Sequence, residues 1–355
     1  MRIAEWIQLV FVSLLAATSW FRPLERARQL RVTGLALVAI AAIVLARASG
    51  QWLWLYNSGI VRDWLPAALL LVPYWQIGQF FTGSDPAMEA RLAAFDRSLF
   101  RMAGIRPSQT PIGVGVSTYL QLVYLLVYPL IPLGLVALYV AHLRQNVDYY
   151  WVVVLPAVNV CFATTPFVRA LPPRMMTDYD AFPMPATKLG ALNGVILDRA
   201  SIRAITFPSA HVASSVAAAL VLLRVEPWMG GIFLWIALSI AVATVVCGYH
   251  YAADVLLAIA IASLVFGVSG RFQARVTGER GNGRIMEQKA EAFGGSARRK
   301  RPPNGFHPTQ DKPLLPAAAA GPGGCEGDEV TAAPNRRAHR AHSQVQPGVC
   351  LLQRI

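Results

Sequence analysis

Two histidines stand at the starts of apolar runs, 39 residues apart. The first lies in Thr206-Phe207-Pro208-Ser209-Ala210-His211 and the second in Gly248-Tyr249-His250-Tyr251-Ala252-Ala253-Asp254. An ionisable group at a bilayer centre costs roughly 2.5–3.5 kcal/mol, so its presence there needs a reason. His250 and Asp254 are four residues apart, hence on one face of a helix start. A carboxylate in that position can hold one imidazole nitrogen protonated and leave the other as a nucleophile. Proline suits a first helical turn. Pro208 therefore predicts that the N–H groups of Ser209, Ala210 and His211 point free at one spot, a ready site for a phosphate. Arginine grips phosphate oxygens bidentately, and the segment Arg169–Thr206 supplies Arg169 and, after Pro172-Pro173, Arg174. Two histidines, an aspartate, an arginine and a helix start can transfer a phosphoryl group without metal.

The elements that must position these residues are membrane helices. Of 355 residues, 55% are hydrophobic and 14% charged, with a mean hydropathy of +0.44. Soluble domains run near 45–50% apolar and about 25% charged. Up to eight apolar segments follow one another, near Trp6–Phe21, Thr33–Ala48, Trp64–Phe81, Thr118–Ala141, Tyr150–Val168, Phe207–Leu223, Met229–Cys247 and Tyr251–Ser269. A span needs about 20 apolar residues, which the fourth to eighth supply. The first two are short, the first reading as a retained signal anchor. Pro73 and Gln76 interrupt the third. Between the third and fourth, Leu92, Phe95, Leu99 and Phe100 share one helical face opposite charges, predicting an amphipathic helix on the membrane surface.

The net charge of +13 is lopsided, and its location separates nucleic-acid binding from membrane orientation. Residues 271–355 hold 14 Lys and Arg against 7 Asp and Glu, including the cluster Arg298–Arg301. Rich in Pro and Gly and poor in aromatics, this tail is expected to be disordered and to flank the cytoplasmic side rather than to bind nucleic acid. The turn Arg224–Glu226 is then also cytoplasmic, and both histidines face the other side. The basic stretches Arg22–Arg31 and Arg169–Thr206 leave the N-terminal topology open, at six to eight spans. Cys161, Cys247, Cys325 and Cys350 show neither metal-ligand spacing nor a paired framework. No internal repeat is visible, which weakens transporter folds built from duplicated halves.

The Phe207–His211 and Gly248–Asp254 segments resemble the second and third signature motifs of the type 2 phosphatidic acid phosphatase superfamily, over roughly residues 150–270. That resemblance implies a six-helix membrane core. It implies His250 as the nucleophile forming a phosphohistidine, Asp254 as its orienting partner, His211 as the acid protonating the leaving alcohol, and Ser209 as a phosphate ligand. Two departures stand out. The usual first motif places a lysine seven residues before Arg-Pro, whereas Arg169 is five before Arg174 and the order is Pro-Pro-Arg. Ala243 and Thr244 replace the usual Ser-Arg pair. Both departures resemble the branch of sphingomyelin and inositol phosphorylceramide synthases, which transfer a phosphorylated head group between lipids. The stretch Asp96–Phe100 is similar to bacterial members of that branch.

The expectation is an all-α polytopic membrane enzyme. Membrane segments occupy 1–82, an interfacial segment 83–114, a phosphatase-like catalytic core 115–270, and a disordered cytoplasmic tail 271–355. It acts on a lipid phosphate or phospholipid, with a polyol or lipid alcohol as a further acceptor, and needs no metal or cofactor. It resides in a bacterial plasma membrane with its site on the non-cytoplasmic face. The site comprises His250, His211 and Asp254, with Arg174, Ser209 and Arg169 on phosphate. Blander readings exist for each residue: a lone histidine as an interfacial contact, Ser209 as a helix cap, Pro172-Pro173-Arg174 as a turn. Tyr249, Tyr251, Trp52, Trp54 and Trp75 read as interfacial aromatics. A channel, transporter or scaffold would scatter the two histidines and Asp254 with no shared cavity.

Overall fold

A computed structural model of the chain describes residues 1–52, 58–202 and 205–271, with side chains 49–58 excepted. The expected tail, with Cys325, Cys350 and Arg298–Arg301, lies outside the described residues, as do Trp54 and the side chain of Trp52. Among the described residues the fold is helical, with short 3-10 turns and no strand. Five helices are long and apolar enough to cross a membrane. They are α1 (Ile3–Trp20), α2 (Arg26–Trp52), α8 (Val147–Thr164, with its flanking turns), α11 (Pro227–Val246) and α12 (Ala252–Arg271). The pair α6 (Val114–Leu125) and α7 (Val127–Val140) makes a sixth, bent by 60°. The chain is an integral membrane protein.

Proline chemistry explains where the runs break. Proline lacks an N–H and its ring collides with the carbonyl four residues earlier. Pro129 therefore ends α6 at Leu125, splitting a run that reads as one span in the sequence. Pro73 likewise ends α3 (Ser58–Leu69) at Leu69 and sits in the first turn of α4 (Leu71–Gly78), where no N–H is needed. Gln76 does not interrupt that run. It is buried, and its Nε2 donates to the carbonyls of Val12 (3.2 Å) and Val32 (3.0 Å), tying α4 to α1 and α2. The first two runs are longer than the sequence suggests, at 18 and 27 residues.

The sixth run forms one unbroken helix of only 16 residues, α10 (Ala210–Val225), and it is the centre of the bundle. Apolar or small on every side, it is buried on every side, with Val212 to Ala219 all enclosed. It packs between α8 and α11, while Val255, Ala258 and Ala262 of α12 and Phe11 and Leu15 of α1 complete the same core. A Cβ on Gly230 would fall 2.1 Å from the Leu223 backbone, so only glycine lets α11 press onto the end of α10.

The interfacial helix α5 (Pro86–Met102) turns the other way from expectation. Its buried stripe is Glu89, Leu92, Ala93 and Asp96, spaced i, i+3, i+4, i+7, while Phe95 is exposed. Buried N–H groups must find acceptors, and the two acids supply them. Glu89 accepts the Leu171 N–H at 2.9 Å. Asp96 accepts the Ala252 N–H at 3.0 and 3.2 Å and the Tyr179 hydroxyl at 2.6 Å. Within the long segment Arg169–Thr206 a further helix, α9 (Lys188–Ala200), forms behind a Thr187 cap that accepts the Gly190 N–H, and rests on α6.

Candidate active site

The turn between α11 and α12 delivers His250. Gly248 has φ +69° and ends α11 with paired hydrogen bonds: the Tyr249 N–H reaches the Thr244 carbonyl at 2.8 Å and the Gly248 N–H that of Val245 at 3.0 Å. That is a Schellman stop, which needs a left-handed residue at this point. The His250 N–H shares the Thr244 carbonyl at 2.9 Å, so the ring emerges two residues after the stop. Tyr251 then caps α12 and Asp254 occupies its first turn. The Asp254 Oδ2 accepts the Tyr251 N–H at 3.3 Å and lies 3.0 Å from His250 Nδ1. The four-residue spacing thus works, although His250 precedes the helix. Thr244, standing where a Ser-Arg pair is usual, serves this turn through its carbonyl, and its hydroxyl donates to Ala241.

His250 is 4% exposed and Asp254 fully buried. Burial pushes the His250 imidazole down, to about 4, so it is neutral at pH 7. With Nδ1–H donated to Asp254, Nε2 keeps its lone pair. Asp96 sits behind, and burial pushes its carboxyl above the usual range despite the lowering contacts of Tyr179 and the α12 backbone. The acid expected to face solvent instead anchors α5 to the start of the helix carrying Asp254.

His211, in the first turn of α10, faces His250 with ring centroids 6.1 Å apart and planes at 81°. Its edges also meet Tyr124 (6.0 Å) and Tyr128 (5.9 Å). Pro208 falls before the helix rather than within it, because Ser209 is the cap. The three expected free N–H groups are accordingly reduced: that of Ser209 goes to the Asp254 carbonyl (3.3 Å) and that of Ala210 to the Thr206 hydroxyl (3.2 Å). Ser209 Oγ accepts the Val212 N–H, and the residue is wholly buried. It is a cap, and it ties the two histidine segments together.

A cavity of about 390 Å³ joins the two rings, with Arg174 on its wall. Arg174 is held in a Pro173–Met175 turn, and its N–H donates to the Gly248 carbonyl at 2.9 Å. Its exposed guanidinium stands 5.7 Å over the Tyr249 ring. Arg169 does not join them. It is exposed, off the cavity wall, and only its carbonyl is used, accepting the Asp85 N–H at 2.7 Å. Tyr249 and Tyr251 are buried rather than interfacial. Tyr249 stacks on Tyr124 at 4.0 Å and donates to Gln121 Oε1 at 2.8 Å; Tyr251 donates to the Leu171 carbonyl at 3.1 Å.

Tyr74, Tyr124, Leu197, Asp198 and Ile202 also line the cavity and are absent from the sequence reading. Gln121, Tyr124 and Tyr128 recur at i, i+3, i+7 inside an apolar run, a polar stripe of the kind that scarcity of polar groups makes informative. Nothing comparable marks α9. Its contribution depends on a fold-back of the whole Arg169–Thr206 segment.

Residues 110–268 match the PAP2 superfamily. The PAP2 match contains both histidine segments and Arg174, and it points to phosphatase-type chemistry in a membrane setting. It begins after α5, so neither Asp96 nor Glu89 falls within it. Comparison with curated proteins and with solved structures finds no match for the chain.

Proposed function

We propose that the protein is a membrane lipid phosphatase or head-group phosphotransferase of the PAP2 superfamily, working through a phosphohistidine on His250. The observation that carries this reading is the meeting of two sequence-distant histidines at one cavity, His250 held by Asp254 at 3.0 Å and His211 6.1 Å away. His250 Nε2 attacks phosphorus and forms an N–P bond. The P–O bond to the lipid alcohol breaks, and His211 supplies the proton that oxygen takes up. Asp254 steadies the positive charge that develops on the His250 ring. Arg174 offsets the negative charge on the phosphoryl oxygens. In the second step a water or alcohol oxygen attacks phosphorus, His211 takes its proton, and the N–P bond breaks. Water makes the enzyme a phosphatase; an alcohol such as a polyol or a second lipid makes it a transferase.

Among the described residues no three His, Cys, Asp or Glu side chains converge to hold a metal ion. Ser209 acts indirectly, by placing His211, rather than as a phosphate ligand. The departures from the usual motifs favour the synthase-like branch and therefore transfer. The basic tail supports a cavity on the non-cytoplasmic face. A channel or transporter is not favoured, because its scattered histidines are not what the bundle builds.

The test is an assay of purified full-length protein on a panel of lipid phosphates and phospholipids, with and without alcohol acceptors. Phosphate release or head-group transfer is expected, and both should disappear in His250→Ala. Full activity in His250→Ala would overturn the assignment. Acceleration by a particular alcohol, with a new phosphodiester as product, would identify the acceptor.

A further inference from the structure

A second cavity, of about 420 Å³, lies away from the histidines and shares no lining residue with their cavity. Its wall carries Arg97 and Arg101 from the outer face of α5 and Arg106 from the loop after it. All three guanidinium-bearing residues are exposed, and none is in an ion pair among the described residues. The one acid on the wall, Asp180, has its Oδ1 engaged by the Ser108 N–H at 3.1 Å. The inversion of α5 creates this imbalance. Glu89 and Asp96 are spent inward on backbone N–H groups, so the outward face keeps only its cations. Arg101 in the last turn is explained by the helix dipole alone. Arg97 and Arg106 are not, although Arg106 also donates to Gln109 Oε1 at 3.4 Å. Three arginines against the single carboxylate of Asp180 leave the concavity with an excess of positive charge that a bound anion offsets.

We infer that this pocket binds the phosphate of an anionic phospholipid, as a site separate from catalysis. The arginines supply the fork that suits phosphate oxygens. The surroundings supply a reason for the phosphate to come from a lipid: Ile105 on the pocket wall is 40% exposed, and Phe95 and Met102, neighbours of the arginines along α5, are 46% and 79% exposed. A basic helix with bare apolar side chains next to its cations lies in the headgroup–acyl boundary. An occupant there would steady α5, whose Asp96 holds the first N–H of α12 at 3.0 Å, so bilayer composition would reach the catalytic helix through one carboxylate.

The experiment uses full-length protein in bilayers carrying trace spin-labelled phosphatidylglycerol or phosphatidylcholine. Preferential association of the phosphatidylglycerol is expected, weakening as salt rises. Each single change, Arg97→Gln, Arg101→Gln or Arg106→Gln, should lower that preference roughly fivefold, and all three together by about a hundredfold. Circular dichroism checks that the helices persist. If the triple variant fails to fold, the single variants decide. An unchanged preference in folded variants would overturn the site, as would equal association of the two lipids with the wild-type protein. Displacement by millimolar inorganic phosphate, with labelled phosphate bound in detergent, would make the ligand a free ion and refute the lipid.

Discussion

One oxygen of Asp254 carries both of its side-chain contacts. Oδ2 accepts the Tyr251 N–H at 3.3 Å and meets His250 Nδ1 at 3.0 Å, while the buried Oδ1 is reached by no donor. Asparagine can put its carbonyl oxygen where Oδ2 stands and keep both hydrogen bonds, its NH2 taking the place of Oδ1. The reaction then loses the negative charge, while the buried NH2, placed where Oδ1 has no partner, costs folding stability instead. A bond to a charged group contributes roughly 1.5–3 kcal/mol and a neutral one roughly 0.5–1.5. The difference, about 1–2 kcal/mol as the ring becomes cationic, slows attack about 5- to 30-fold. Alanine removes the acceptor, frees the ring to turn and releases its tautomer, which should cost on the order of 10³–10⁴-fold. Rapid-quench measurement of acid-labile, base-stable phosphoprotein from a labelled lipid phosphate reads the step directly. Asp254→Asn as slow as Asp254→Ala would refute the single-oxygen argument. Phosphoprotein forming at the wild-type rate in Asp254→Ala would remove Asp254 from the reaction altogether.

Because burial lowers the His250 imidazole to about 4, the proposed nucleophile stays unprotonated as pH falls through 6.5. The acid limb of kcat/KM should therefore lie nearer 4 to 5, and a half-maximum at 6.5 would contradict the enclosed ring. The same lowered value means the folded state binds fewer protons than the unfolded one between about 6.5 and 4, so His250 costs stability progressively across that window on acidification. Gly248→Ala forces a side chain onto φ +69° and puts its Cβ 3.2 Å from the Arg174 nitrogen. A drop of roughly 1–2 kcal/mol from the backbone alone is expected in denaturant titration, with a larger loss of activity because Arg174 and His250 both shift. Asp96→Ala leaves the Ala252 N–H buried without its acceptor, costing roughly 1–3 kcal/mol; a melting temperature equal to wild type would mean α5 is not anchored as described.

Much of the candidate site's geometry was readable from spacing. Gly248 four residues before Ala252 is a helix stop followed by a helix start, and the histidine between them must emerge at the seam. The i, i+4 relation of His250 and Asp254 held for the same reason. What misled was the assumption that acids face water. On α5, Leu92 and Phe95 looked like one face, but buried N–H groups at Leu171 and Ala252 drew Glu89 and Asp96 inward and left Phe95 outside. Arg169 illustrates a different limit: its type and position suited phosphate, yet it is exposed and off the cavity wall, with its carbonyl engaged by the Asp85 N–H.

Local chemistry written into the sequence determined the helices, their breaks and the residues able to react. Hydropathy set the runs, Pro73 and Pro129 cut them four residues upstream, and the scarcity of polar groups marked His211, His250 and Asp254. Tertiary structure alone decided which of these residues share a cavity and which polar groups are consumed before any ligand arrives. His211 and His250 meet because the small residues of α10 let α8 and α11 close around it. The Ser209 and Ala210 N–H groups are unavailable to phosphate because the Asp254 carbonyl and the Thr206 hydroxyl reach them first. Such outcomes depend on which buried donor finds an acceptor across the bundle, and partners distant in the chain have no signature in local spacing.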